Sequence, residues 1–197
     1  MANGISRYAL IIYGSAEQTI QEEVEQSLAF FNENGFETFV TSRIPPDCPF
    51  DHYITASVEN VEKLVGTLRE KIDDNDELVI YTTGHGRESN GAGTLCFEGD
   101  CDHERIHEIF SSIVYGKRSV FMAQCYGGNW KKDFSNDPNT LFISTGGKGK
   151  SVKCGRGGFF WFFWSKDAPD YNHDGGVSFE ERRKYALHSL SFAKLLK

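Results

Sequence analysis

Positive charge is in short supply in this chain. Twenty-one lysines and arginines stand against 28 aspartates and glutamates over 197 residues, a formal charge of -7 and a pI near 5.4. A nucleic-acid-binding surface is therefore not expected as its main business. Long apolar runs are also missing. The aromatic stretch Phe159-Phe-Trp-Phe-Phe-Trp164 covers six residues, against the ~20 that a bilayer-spanning helix needs. It reads as a buried core segment, and no membrane association is expected. Met1 to Arg7 carries no basic region ahead of a long apolar run with a cleavage site, and the apolar stretch Tyr8 to Tyr13 is only strand-length. No secretory signal is expected, and the cytoplasm is the default location. An even, clustered set of cysteines is absent too. The five cysteines are scattered at 48, 96, 101, 125 and 154, a set that does not read as a disulfide framework and leaves at least one thiol free. Free thiols in a reducing compartment suit a cysteine nucleophile.

What is present alternates between strand and helix patterns. Tyr8 to Tyr13 reads as a buried strand, and Ile20, Val24, Leu28 and Phe31 form a helical stripe within residues 17–34. A second strand is expected at Phe36 to Thr41. Pro45, Pro46 and Pro49 make Ile44 to Asp51 a loop. A helix is expected over Val58 to Ile72, a strand over Glu77 to Thr83, a small hairpin arm over Gly93 to Glu98, and a helix over Asp102 to Ile113. Strands at Ser119 to Gln124 and Thr140 to Ser144 complete the pattern. Such alternation predicts one α/β domain, residues 1–197, with a mostly parallel sheet flanked by helices.

Chemistry in open sheets of this kind sits in the crevice at the carboxyl ends of the strands. Two reactive side chains fall there. His85 lies between Gly84 and Gly86 just after one strand, and Cys125 follows another and precedes Gly127-Gly128. Small neighbours leave room for a substrate backbone, and adjacent turns would bring Sγ and imidazole within reach. Each residue alone has an ordinary alternative, a small core cysteine or an accommodated histidine. Together, at two predicted strand ends, they favour a nucleophile and its base.

Leu78-Val-Ile-Tyr-Thr-Thr-Gly-His-Gly86 resembles the strand–His–Gly signature of the caspase-like clan of cysteine peptidases. Ser119-Val-Phe-Met-Ala-Gln-Cys-Tyr-Gly-Gly128 resembles its strand–Cys signature, and the bacterial legumain-like and metacaspase-like members are the nearest in pattern. The order His then Cys agrees, at a separation of 40 positions, 125 minus 85. The resemblance implies a caspase-like three-layer sandwich and a cysteine endopeptidase acting on a polypeptide substrate. It makes Cys125 the nucleophile and His85 its partner, with the backbone N–H groups of Gly86 and Cys125 as the oxyanion hole. It requires no third triad residue. Clan members that cleave after Arg or Lys often carry an acid two positions before the cysteine, where this chain has Ala123. The stretch Ser144 to Lys150, where the clan builds its P1 pocket, is basic and favours an acidic or neutral P1. A monomer is expected. Latency would come from loops, calcium, a regulatory partner or self-cleavage in the polar, turn-rich stretch Asn129 to Asn139.

Residues 170–181 fit the twelve-residue EF-hand loop. Asp170, Asn172 and Asp174 supply oxygens at positions 1, 3 and 5, and Gly175 allows the turn at 6. The Gly176 carbonyl, Ser178 and Glu181 follow at 7, 9 and 12. Such hard oxygen ligands predict Ca2+ rather than zinc or magnesium. Ser178 and Glu181 also read as a capping box for a helix over Ser178 to Leu196, and the two readings are compatible. Cys96, Cys101, His103 and His107 invite a zinc site, but their spacing is far from the usual finger pattern. Two other functions compete with the peptidase. One is a calcium-binding interaction scaffold with a latent or unused dyad. The other is a nucleotide binder, weakened because no glycine-rich phosphate loop follows the first strand.

Overall fold

The computed structural model describes residues 4–97, 99–100, 103–156 and 158–195. The chain forms β1 (Arg7–Tyr13), α1 (Gln18–Glu33), β2 (Glu37–Ser42), β3 (His52–Thr55), α2 (Val58–Arg69) and β4 (Glu77–Thr83). There follow β5 (Gly86–Ser89), β6 (Ala92–Phe97), β7 (Gly99–Asp100), α3 (His103–Ser111) and β8 (Lys117–Met122). A 3-10 turn at Gly127–Trp130 then leads into α4 (Lys131–Phe134), β9 (Thr140–Ser144), α5 (Phe159–Phe163) and α6 (Phe179–Leu195).

Six strands build one parallel sheet in the order β3-β2-β1-β4-β8-β9. The central strands are buried on both faces, so their middles are apolar runs rather than alternating, with polar residues at the ends. Alternate residues nonetheless serve different layers. Leu10, Ile12, Ile80, Val120 and Met122 meet Val61, Leu64 and Leu68 of α2 and Ile106 and Phe110 of α3. Ile11, Val79, Tyr81 and Phe121 point the other way, to Val24, Leu28 and Phe31 of α1 and Phe160 and Phe163 of α5. The layers are helix, sheet, helix, as the alternation predicts. No helix among the described residues is long and apolar enough to cross a membrane.

The strand β3 is absent from the sequence expectation. His52–Thr55 is short and only half-buried, so no apolar run marks it. It is held at the edge by side chains. Asp51 Oδ2 accepts from the N–H and Oγ1 of Thr38 at 2.7 and 2.9 Å, and the His52 ring stacks on Phe39 at 4.3 Å. The hairpin arm is longer than the sequence reading placed it, because β5 starts immediately after His85. Its turn is Asn90-Gly91, both with positive φ (51° and 78°), the two-residue hairpin that Asn-Gly favours. The stretch Asn129 to Asn139, read as polar and turn-rich, contains α4, and Trp130 and Phe134 anchor it in the core at 0% and 1% exposure.

The aromatic run becomes α5 and its C-terminal residue, with Phe159, Phe160, Phe163 and Trp164 buried. Phe121 is the strand residue on which it packs, 5.2 Å from Phe163 and 5.5 Å, edge-on, from Trp164. Emptying that centre leaves a cavity between sheet and helix. Phe121→Ala is expected to cost about 3–5 kcal/mol, seen in urea unfolding as a lower midpoint at unchanged slope. A midpoint equal to wild type would show that this cluster is not the core of the face.

Candidate active site

β4 and β8 are neighbours with Thr82 opposite Met122, and the ladder runs one residue further through Ala123 N–H donating to Thr82 O at 2.8 Å. Both strands therefore end at the same level. Beyond β4, Gly84 turns the chain with φ of 114°, a conformation that suits glycine, and His85 emerges exposed. Beyond β8, Ala123 and Gln124 are fully buried and Cys125 is half-buried. Tyr126 follows at φ of 60°, an uncommon strained state for an aromatic residue, of the kind that gathers at functional sites.

The two turns touch through their backbones. A Cβ on Gly86 would lie 2.1 Å from the Cys125 carbonyl oxygen, so only glycine lets the histidine turn approach the cysteine turn. Gly127 and Gly128 have a different role from the one their sequence suggests. The space beside them is filled by the protein itself, because added Cβ atoms would sit 2.9 Å from Met122 O and 2.3 Å from Gly146 O.

The thiol lies against the segment after β9. Cys125 Sγ is 3.1 Å from Ser151 Oγ and 3.4 Å from Val152 O, and the Val152 N–H donates to it at 3.4 Å. His85 Nε2 is 2.6 Å from Glu17 Oε1. Among the described residues no hydrogen bond joins the imidazole to the thiol, so the structure brings the two turns together without engaging the pair. Lys148 and Lys150, the basic residues of the expected P1 region, are exposed.

Two groups beneath the site escaped the sequence reading. Cys154 Sγ donates to Gly84 O at 3.4 Å, directly under the histidine turn. Burial, with the charges of Glu23 and Cys125 nearby, pushes its thiol up to about 11. Glu23 is fully buried on α1. Its Oε1 accepts from Tyr81 Oη at 2.5 Å and Thr83 Oγ1 at 2.9 Å, and its Oε2 from the Gly155 N–H at 2.9 Å. One carboxyl thus ties the end of β4 to the segment that covers the thiol. The available signal was its register, since Glu23 falls three residues after Ile20 on the buried stripe.

The loop 170–181 is wound by its own oxygens. Asp170 Oδ1 accepts from His173 N and Asp170 Oδ2 from Gly175 N, while Asn172 Oδ1 and Asp174 Oδ1 accept from Asp174 N and Gly176 N. Gly175 has φ of 92°. Glu181 accepts from the N–H groups of Tyr171, Asn172 and Ser178 and from Ser178 Oγ, while its own N–H reaches Ser178 Oγ at 3.3 Å. The capping box is therefore formed. These bonds, those from Ser178 foremost, hold the Glu181 carboxyl below its ordinary value. Among the described residues no three His, Cys, Asp or Glu side chains gather closely enough to ligate a metal in this conformation.

Of the candidate zinc set, Cys101 lies outside the described residues. His103 is buried with Nδ1 2.8 Å from Gly93 O and Nε2 3.1 Å from Asp133 Oδ2, and it packs on Trp130 at 4.1 Å. His107 meets Ser111 Oγ at 3.4 Å.

Counted along the chain, the sheet order is 3-2-1-4-5-6, shared with dinucleotide-binding sheets, whose ligand sits between the first and fourth strands. Here that crevice is filled, because a Cβ on Gly14 would be 2.1 Å from the Cys96 carbonyl of β6. No protein-family model matches the chain, and no curated protein does.

Burial raises the Glu23 carboxyl, against the hydrogen bonds of Tyr81, Thr83, Gly155 and Trp161 that lower it. The folded chain then holds a proton that the unfolded chain has lost, so stability is full below the unfolded value of 4.5 and falls as pH rises through the raised folded value. Glutamine at this position does not titrate, so Glu23→Gln loses this pH dependence. The stability gap between wild type and Glu23→Gln, from urea unfolding, is expected to narrow as pH rises from weakly acidic to neutral. A gap independent of pH would mean that Glu23 titrates alike in both states.

Proposed function

We propose that the chain is a cysteine endopeptidase of caspase-like architecture, with Cys125 as nucleophile and His85 as general base and acid. One observation carries the reading: two adjacent parallel strands end in a histidine turn and a cysteine turn whose backbones touch at Gly86 and Cys125. The proton of the thiol passes to the imidazole as Sγ attacks the scissile carbonyl. The backbone N–H groups of Gly86 and Cys125 receive the oxyanion. The imidazolium protonates the departing amine, and water then releases the acid from the thioester.

The bonds of Cys125 to Ser151 and Val152 describe a resting arrangement, which a substrate would replace by taking the place of that segment. Peptide cleavage lost in Cys125→Ala but retained by wild type is the expected result, with acidic or neutral P1 residues preferred because of Lys148 and Lys150. The unengaged thiol and imidazole favour the second reading, a calcium-binding scaffold with a latent dyad. Cleavage that persists in Cys125→Ala, or no cleavage by folded wild type with and without Ca2+, would leave that reading in place.

We also propose that the loop 170–181 binds Ca2+. Its donors are hard oxygens, and the left-handed Gly175 makes the tight turn such a loop needs. Asp170, Asn172, Asp174, Ser178 and Glu181 would hold the ion by their side chains and Gly176 by its carbonyl. The ion would fix α6, already docked by Arg182 Nη1 on the carbonyls of Phe163 and Ser165 at 3.1 and 3.0 Å. At a concentration of 100 times Kd it should stabilise the fold by about 2.7 kcal/mol, read as a rise in Tm. Asp174→Ala, an exposed change, should abolish both the heat of binding and the rise; a rise that survives it would place the ion elsewhere.

A further inference from the structure

Three consecutive strands of the sheet end at one level. Tyr13 of β1 lies opposite Thr83 of β4, and Thr82 lies opposite Met122 of β8. The turn after β4 carries His85 and the turn after β8 carries Cys125. The turn after β1 carries Glu17, whose Oε1 is 2.6 Å from His85 Nε2. Carboxylate, imidazole and thiol thus follow the order of the strands.

The backbone of Glu17 is fixed. Its N–H donates to Ser15 Oγ at 3.1 Å, and its carbonyl accepts from Ile20 and Gln21 N–H at 3.0 Å as the first turn of α1 forms. Ser15 is buried, and a Cβ on Gly84 would stand 3.6 Å from Ser15 Cβ, so the Glu17 turn packs on the histidine turn. Glu17 also stands at the N-cap position, where a carboxylate could accept from the free helix N–H groups. It makes no such cap. Its carboxylate is directed to His85 instead.

We infer that Glu17 is a positioning residue for His85, completing a Cys–His–Glu array; the inference rests on the peptidase reading above. A carboxylate on Nε2 holds the ring proton there, so the neutral imidazole keeps its lone pair on Nδ1, free to take the thiol proton. When that proton arrives, the same carboxylate faces an imidazolium. Both side chains are more than half exposed (55% and 62%). The pair is therefore weak in water and gains strength when a substrate covers it.

The test compares wild type, Glu17→Ala, Glu17→Asp and Cys125→Ala. Glu17→Ala is expected to lower kcat about 10- to 100-fold with KM little changed, and Glu17→Asp to recover part of the loss. Site-resolved alkylation of Cys125 by iodoacetamide should slow in Glu17→Ala. Nitrogen NMR of His85 should show the Nε2–H tautomer in wild type and a mixture in Glu17→Ala. Unchanged or increased kcat in Glu17→Ala overturns the inference, an increase marking Glu17 as a latch that holds the ring off the thiol. If wild type cleaves no peptide, or Cys125→Ala cleaves as well as wild type, the peptidase reading falls. Tautomer and alkylation rate then decide the role of Glu17 on their own: both altered in Glu17→Ala support it, and either unchanged overturns it.

Discussion

The parallel pairing of β4 with β8, extended by the Ala123–Thr82 bond, is the constraint on which the candidate site depends. Parallel strands point their carboxyl ends the same way, so a residue just past each strand appears on one edge of the sheet. Separation across that edge is then set by strand spacing and by how closely the turns approach. Glycine at 86 removes the Cβ that would otherwise meet the Cys125 carbonyl. With β1 on the other side of β4, the same rule brings Ser15 and Glu17 against Gly84 and His85.

The rest of the molecule holds this edge from below and from the side. On the α1 face, Glu23 spans from Tyr81 and Thr83 to Gly155 and so couples the strand end to the segment over the thiol. A buried carboxyl is costly without partners, and this one has hydrogen-bond donors from β4 and from the segment after β9. On the α2 and α3 face, the hairpin arm closes the crevice at Gly14, and Trp130 and Phe134 seat the chain after Cys125. These contacts seat the histidine and cysteine turns from both faces of the sheet.

The layer order, the positions of α1, α2 and α3 and the placement of His85 and Cys125 past strand ends were legible from apolar periodicity and glycine positions, whereas α4 was not. The edge strand His52–Thr55 was not, because what holds it is its pairing with β2, where Asp51 bonds Thr38 and Phe39 stacks on His52, rather than an apolar run of its own. Gly127 and Gly128 were legible as glycines but not in purpose. A sequence says that a Cβ is missing; what occupies the space instead, here Met122 and Gly146 carbonyls, is a fact of packing.

Residue types and their local periods determine which segments are strand or helix and which side chains stand at their ends, since backbone preference and apolar spacing are properties of near neighbours. They determined the α/β class, the histidine and cysteine turns and the oxygen-rich loop. Partnership across the chain was decided only by tertiary structure. Glu17 meets His85 across 68 positions (85 minus 17), Glu23 meets Gly155 across 132, and Ser151 meets Cys125 across 26. Such contacts follow from sheet order and from the path of the segment after β9, which no local pattern encodes.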